Sequence, residues 1–321
     1  MCIFASFNGS KTPHNSKLLS KMNNRNNRRG ANRPDNIQVF NPESETTLLA
    51  YLFEVLAPRS RTDIKSFLTH QQVMVNGVPT TQFDDPLQPG DEVAINFTRP
   101  FAVFQHRMMS LLFEDDDIVV VTKASGLLSV PAGARTREKT AQQIVDDYVY
   151  AQDGRSHAYV VHRLDQFTSG ILIFAKNPTV QHKLRDSWST YIVERRYMAI
   201  CEGKPKQPEG EISTYLAENK AMKVYSTRDP EKGKLSVTRY HVNKLSRGYS
   251  QIDVQILTGR KNQIRVHMSD LGCPIAGDRK YGAQSNPWGR MMLHNYLLQF
   301  IHPVTRENLK FELPLPRNFN I

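Results

Sequence analysis

The sequence predicts an α+β protein made of two unequal modules behind a basic arm. Three observations carry that expectation. Over residues 48–68 apolar side chains recur at three- and four-residue steps, and Asn76-Gly77 then falls between two β-rich runs. From Leu111 onward, strand-like stretches such as IVVVTK (118–123) and YSQIDVQI (249–256) alternate with helix-like ones. Ahead of both modules, residues 1–40 hold seven Lys and Arg against one acid.

The arm comes first. The chain of 321 residues carries a formal charge of +11, and most of the excess is concentrated in this segment. Rich in Asn, Ser and Arg, it cannot bury enough apolar surface to offset the entropy of ordering, so residues 1–44 are expected to be disordered. Its role stays open between a solvated tail, sequence ahead of a start at Met22, a contact with RNA and an organelle transit segment. Over the whole chain 39% of residues are apolar, enough for a core. No apolar run approaches the ~20 residues of a spanning helix, which excludes a helical membrane protein. Cys2, Cys201 and Cys273 are odd in number and far apart, so no disulfide framework is expected and a cytoplasm-like compartment is. There is no CxxC pair, and His70, His106, His157, His182, His241, His294 and His302 show no ligand spacing, so no metal is expected.

Residues 45–97 form the small module. Leu48, Leu49, Leu52, Phe53 and Leu56 give one amphipathic helix, ended by Pro58. Thr62 is the expected N-cap of a second, with Ile64, Phe67 and Leu68 as its apolar stripe. Asn76-Gly77 predicts a tight hairpin, Pro89-Gly90-Asp91 a turn, and VAINF a closing strand. Two short helices, a hairpin and a GDEV turn resemble the S-four-type RNA-binding domain. That likeness implies phosphate contact by Arg59, Arg61 and Lys65 around the second helix entry.

Residues 98–110 read as a linker and 111–321 as the large module. The Gly/Pro loop after IVVVTK is too irregular for a phosphate-binding Walker loop, so no nucleotide cofactor is indicated. A helix is expected over Lys139 to Tyr150. In VVHRLDQFTSGILIFAKN (160–177) a polar middle interrupts two β-rich flanks, which sets His162, Arg163 and Asp165 on a loop held by strands. In ILTGRKNQIRVHMSDLG (256–272) a strand runs through TGR into a helix carrying Ile264 and Met268, with Gly272 as its stop and Arg260 and Arg265 at its entry. On residue chemistry alone, an Asp and an Arg a hundred residues apart are more often structural than functional.

Motifs decide what isolated residues do not. HRLDQFTSG resembles the signature of the RluA-type pseudouridine synthases; GRKNQIRVH is similar to their second signature and RRYMAICEG (195–203) to their third. With GDRKYG the likeness spans Leu111 to the C-terminus. Related RsuA-type enzymes usually have Gly where His162 stands, and Lys261-Asn262 replaces a frequent Thr-His. The resemblance implies a fold with a mixed, mainly antiparallel central sheet flanked by helices and loops. It also implies catalysis by Asp165, with Arg265 as its basic partner and Tyr197 stacked on the target uracil. Arg163 would help displace the flipped nucleotide, Leu164 and Ile264 would be apolar wall, and His162, Arg260, Lys261 and Asn262 would contact RNA. The isomerisation of uridine is redox-neutral and asks for neither cofactor nor metal. Its substrate is expected to be large-subunit ribosomal RNA, with tRNA as runner-up. A non-catalytic RNA binder and a glycosidase are the competing classes; the latter needs paired carboxylates, and HRLDQ offers one. Without a heptad repeat, a monomer is expected.

Overall fold

The computed structural model describes residues 3–4, 36–133 and 138–321. The expectation of a disordered arm falls mostly outside the described residues. Those described divide into two units, the smaller built from residues 36–104 and Asp147–Ser156, the larger from Ile3–Phe4, Gln105–Asp146 and His157–Ile321.

In the smaller unit, helices α1 (Leu48–Val55) and α2 (Arg61–Thr69) pack against a sheet ordered β2 (Ile37–Phe40), β7 (Val93–Asn96), β4 (Val73–Val75), β5 (Val78–Pro79). A separate pair joins β3 (Thr46–Thr47) to β6 (Pro86–Leu87). Leu48, Leu52, Ile64, Leu68, Val73, Val93 and Ile95 form the core. Asn76 and Gly77 take φ of 49° and 80°, the double positive φ that a two-residue hairpin demands. Two boundaries differ from the sequence expectation. The cap of α2 is Ser60, whose Oγ accepts from Asp63 N at 3.1 Å, because Ser60 is the last extended residue and Thr62 lies inside the first turn. Ile37–Phe40, read as arm, is a strand paired antiparallel with Val93–Asn96; its four residues are masked in composition by their basic, polar neighbours.

The larger unit is built on a 12-stranded sheet. Its strands are β8 (Met109–Glu114), β9 (Ile118–Lys123), β10 (Tyr159–Val160), β11 (Ser169–Ala175), β12 (Ile192–Glu202), β13 (Glu209–Glu218), β14 (Val224–Thr227), β15 (Lys234–Ser246), β16 (Tyr249–Ile256), β17 (Leu293–Ile301) and β18 (Asn308–Glu312), with β1 (Ile3–Phe4) beside β18. The main order is β14-β13-β15-β16-β12-β17-β11-β9-β8. All neighbours are antiparallel except β11 with β17 and β1 with β18. The sheet is therefore mixed and mainly antiparallel. Helices α4 (Pro178–Asp186), α5 (Trp188–Tyr191) and α6 (Gln263–Asp270) complete it, and the division between the units falls within α3 (Ala141–Asp153). β11 reads SGILIFA and is buried throughout, as a strand covered on both faces must be. Ile118, Val120, Ile171, Ile173, Leu298 and Phe300 pack with Val180 and Leu184 of α4, each contributing ~1.5–3 kcal/mol by burial. No helix among the described residues is long and apolar enough to cross a membrane.

The register of the central strands prepares the site. Tyr197 pairs with Val254 and with Asn295, Asn295 with Gly170, and Gly170 with Lys123, which makes one row across five strands. Residues level in such a row share a face. Gly170 has φ +131°, and a Cβ there would lie 2.2 Å from the Asn295 carbonyl oxygen. Only glycine lets β11 and β17 approach so closely. The loop carrying Asp165 enters β11 one residue before that point.

Candidate active site

The Asp165 loop is fastened to the segment after β9. The Ser129 hydroxyl donates to Leu164 O (2.6 Å) and accepts from Leu164 N (3.1 Å). Ser125 Oγ donates to Phe167 O at 2.7 Å, and Gly126 N to Gln166 O at 2.9 Å. Beneath them Lys123, 1% exposed, donates from Nζ to the carbonyls of Ala124, Leu127 and Gln166 at 3.0, 2.8 and 3.0 Å. Burial lowers the Lys123 pKa to about 7; Asp165 opposes the shift and Arg290 adds to it. A cation at the end of an apolar strand thus ties down both loops flanking the carboxylate.

Arg265 projects from the first turn of α6. Its Nη1 donates to Asp165 Oδ2 at 3.2 Å. Its Nε and Nη2 form a fork to the two oxygens of Asp278, at 2.7 and 2.8 Å. Asp278 side chain is 2% exposed, Arg265 11% and Asp165 27%, so the pairing runs from a dry anchor to a solvent-touching carboxylate. Asn262, at φ 54°, accepts from Arg265 Nη1 at 3.1 Å through Oδ1 and donates to the Tyr281 hydroxyl at 2.9 Å. The Tyr281 ring lies 4.9 Å from the guanidinium carbon. Burial would lower the Arg265 pKa, but Asp278, and then Asp165, hold it above the ordinary arginine value. The guanidinium is therefore a fixed positive charge, with four of its hydrogen bonds aimed in set directions.

Tyr197, 7% exposed, lies near enough to Asp165 to feel its charge. Burial raises its pKa most; Arg195 opposes and Asp165 adds to the rise. The phenol therefore stays neutral.

Other sequence-predicted residues divide sharply. Arg163 is exposed at the loop. Arg260 is exposed and donates from Nε to Leu235 O at 3.1 Å, while Lys261 is paired with Glu218. Two candidates for RNA contact are engaged inside the protein instead. His162 accepts from Ile173 N at 3.0 Å through Nε2 and stacks on Trp188 at 4.9 Å; burial, then Arg195, push its pKa down to about 3. Asn262 is buried and spends its amide on Arg265 and Tyr281. In the other unit, the Arg59 guanidinium lies 4.8 Å from the Phe97 ring and Arg61 lies 5.1 Å from that of Phe53, both side chains exposed, as is Lys65. Sequence reasoning missed two contributors. Asp278 stood in the quoted GDRKYG without a role, and Lys123 closed an otherwise apolar strand, which was its only signal.

Asp115, Asp117 and His302 bring ligand-type atoms within 4.8 Å of one another. His302 Nδ1 accepts from Val304 N and Thr305 N at 3.2 and 3.0 Å, which leaves the ring proton on Nε2, 3.1 Å from Asp115 Oδ2. A protonated Nε2 has no lone pair for a metal.

A family model for RNA pseudouridylate synthase matches residues 117–270. An uncharacterized RNA pseudouridine synthase of Bacillus subtilis, YlyB, is 33% identical over 81% of this chain and 87% of its own. A second from the same organism, YjbO, is 34% identical over 66% and 74%. Ribosomal large subunit pseudouridine synthase D of Salmonella typhimurium is 28% identical over 83% and 86%. The human RNA pseudouridylate synthase domain containing 4 superposes with a TM-score of 0.53 at 22% identity, covering 65% of this chain and 90% of its own.

Proposed function

Because the chain belongs to the RNA pseudouridylate synthase family, and to its RluA type, we propose that it isomerises particular uridines of large-subunit ribosomal RNA with Asp165 as the catalytic carboxylate. The observation that carries the assignment of Asp165 is its hydrogen bond to Arg265, itself forked onto buried Asp278. Desolvation by RNA would push a lone carboxylate toward its neutral form; a fixed cation at 3.2 Å favours the anion. Asp165 is then ionised where a ribose arrives. Attack on the sugar, attack on the base and removal of a ribose proton all start from that anion.

A stacked uridine cannot reach this carboxylate, so the nucleotide flips out, at a few kcal/mol, and Tyr197 returns part of that by stacking. Arg163, exposed beside Asp165, fills the place the base leaves. Arg260 and Lys261 contact the RNA backbone at the second motif. In the smaller unit Arg59, Arg61 and Lys65 bind phosphate, in the manner of the S-four-type domain that residues 45–97 resemble, and the protein acts as a monomer in the cytoplasm. The choice of ribosomal RNA follows the Salmonella relative, a ribosomal large subunit pseudouridine synthase. Site-resolved pseudouridine mapping of ribosomal and transfer RNA, with the gene intact and deleted, tests it. Loss of signal at large-subunit positions is expected; loss confined to tRNA would reassign the substrate.

A further inference from the structure

Arg195 is 8% exposed and its Nε is buried with no hydrogen-bond partner. No carboxylate is bonded to it among the described residues. Its guanidinium carbon stands 5.5 Å from the Trp188 ring centroid, and a Cβ at Gly259 would come within 2.9 Å of Nη1. Backbone and ring thus pack closely around a positive charge that nothing neutralises. Its two-residue spacing from Tyr197 on β12 puts both side chains on one face of the strand, and each feels the other's charge. Burial lowers the Arg195 pKa, with Tyr197 opposing the shift.

Burying an unpaired guanidinium is costly, and the contact with the Trp188 ring offsets only part of that here. We propose that Arg195 is a further catalytic residue, donating hydrogen bonds to a carbonyl oxygen of the flipped uracil and stabilising the charge the base acquires when it separates from ribose. The inference rests on the isomerase reading and specifies which group meets the base. When the N1–C1′ bond breaks, its electron pair stays with uracil and spreads onto the carbonyl oxygens. The C5–C1′ bond then forms, C5 releases its proton, and N1 ends protonated, so nothing is oxidised or reduced. A preformed donor in a dry site acts on that developing charge without reorganising. The position suits a planar base: Trp188, His162 and Tyr197 surround the guanidinium, a setting too apolar for a hydrated phosphate.

The test uses full-length protein and an RNA carrying a uridine that the wild type converts, read by single-turnover loss of the N1-linked nucleoside. Conversion by the wild type checks the isomerase reading separately. Arg195→Met is expected to slow N1–C1′ cleavage by about 100-fold or more with little change in RNA affinity. Replacing the target by 5-fluorouridine, whose base leaves as a weaker base, is expected to shrink that ratio at least about tenfold. Should Arg195→Met fail to fold, the same ratio is read on Arg195→Lys, which keeps charge but loses the fork. An equal loss on both nucleosides would overturn the proposal in favour of a packing role. A weaker, less salt-dependent Kd with an unchanged rate would overturn it in favour of phosphate binding.

Discussion

The two units use arginine in opposite ways. Arg265 is enclosed and its hydrogen bonds go to Asp278, Asp165 and Asn262. Arg59 and Arg61 lie on Phe97 and Phe53 with their heads in water. A buried, forked guanidinium has one orientation, so removing a partner strands a charge and disturbs chemistry. A solvated one has many, so its loss subtracts only one attraction, and salt screens it. Position is the product of the first arrangement and affinity that of the second.

The largest effect should follow from breaking the enclosed end. Asp278→Asn leaves Arg265 with half its fork in a dry place. It should cost about 3–5 kcal/mol of stability and reduce kcat about 100-fold with KM little changed, read by denaturant melts and steady-state kinetics. A protein with wild-type kcat would mean that Arg265 does not need its anchor.

Acid should next expose the same contrast. Burial, first among causes, lowers the pKa of His162 to about 3 and of His267 and His294 to about 4. Unfolded, each titrates near 6.5, so between pH 6.5 and 4 the unfolded state binds more protons and stability is lost as the pH is lowered, by at most ~4 kcal/mol per pH unit for three sites. Trp188 and Trp288, the two tryptophans of the chain, both belong to the larger unit, so their fluorescence reports its melting. A urea midpoint that is flat from pH 6.5 to 4.5 would mean that these rings are charged in the folded protein.

The smallest effect belongs to the solvated end. Replacing Arg59, Arg61 and Lys65 together by Gln should weaken RNA binding roughly 10-fold at physiological salt and flatten the slope of log K against log salt by about 2, with single-turnover rate at saturation unchanged. An unaltered slope would remove this surface from the RNA contact.

The difference between the units also explains how much of the molecule was readable in advance. IVVVTK and YSQIDVQI became strands at the residues expected, because periodicity is local. The helix after TGR, with Gly272 at φ 75° behind it, followed from the same kind of signal. Asp165 and Arg265 were legible through motifs, and their hydrogen bond agrees with the pairing the motifs implied. In sequence His162 and Asn262 read as RNA contacts because a polar residue in a loop motif looks exposed; their partners, Ile173 N and Tyr281, lie 11 and 19 residues away. Arg195 opened the quoted RRYMAICEG without a role. A buried cation differs from a surface one only by what folds over it.

The proposed isomerisation depends on the carboxylate of Asp165, and Asp165→Asn tests it with the least change of shape. Purified variant and wild type, matched for RNA affinity and for melting midpoint, would be compared by release of tritium from uracil C5 in a single turnover. If Asp165 is the catalytic carboxylate, the variant binds and melts normally with release at background. Measurable turnover by the Asn variant would contradict it.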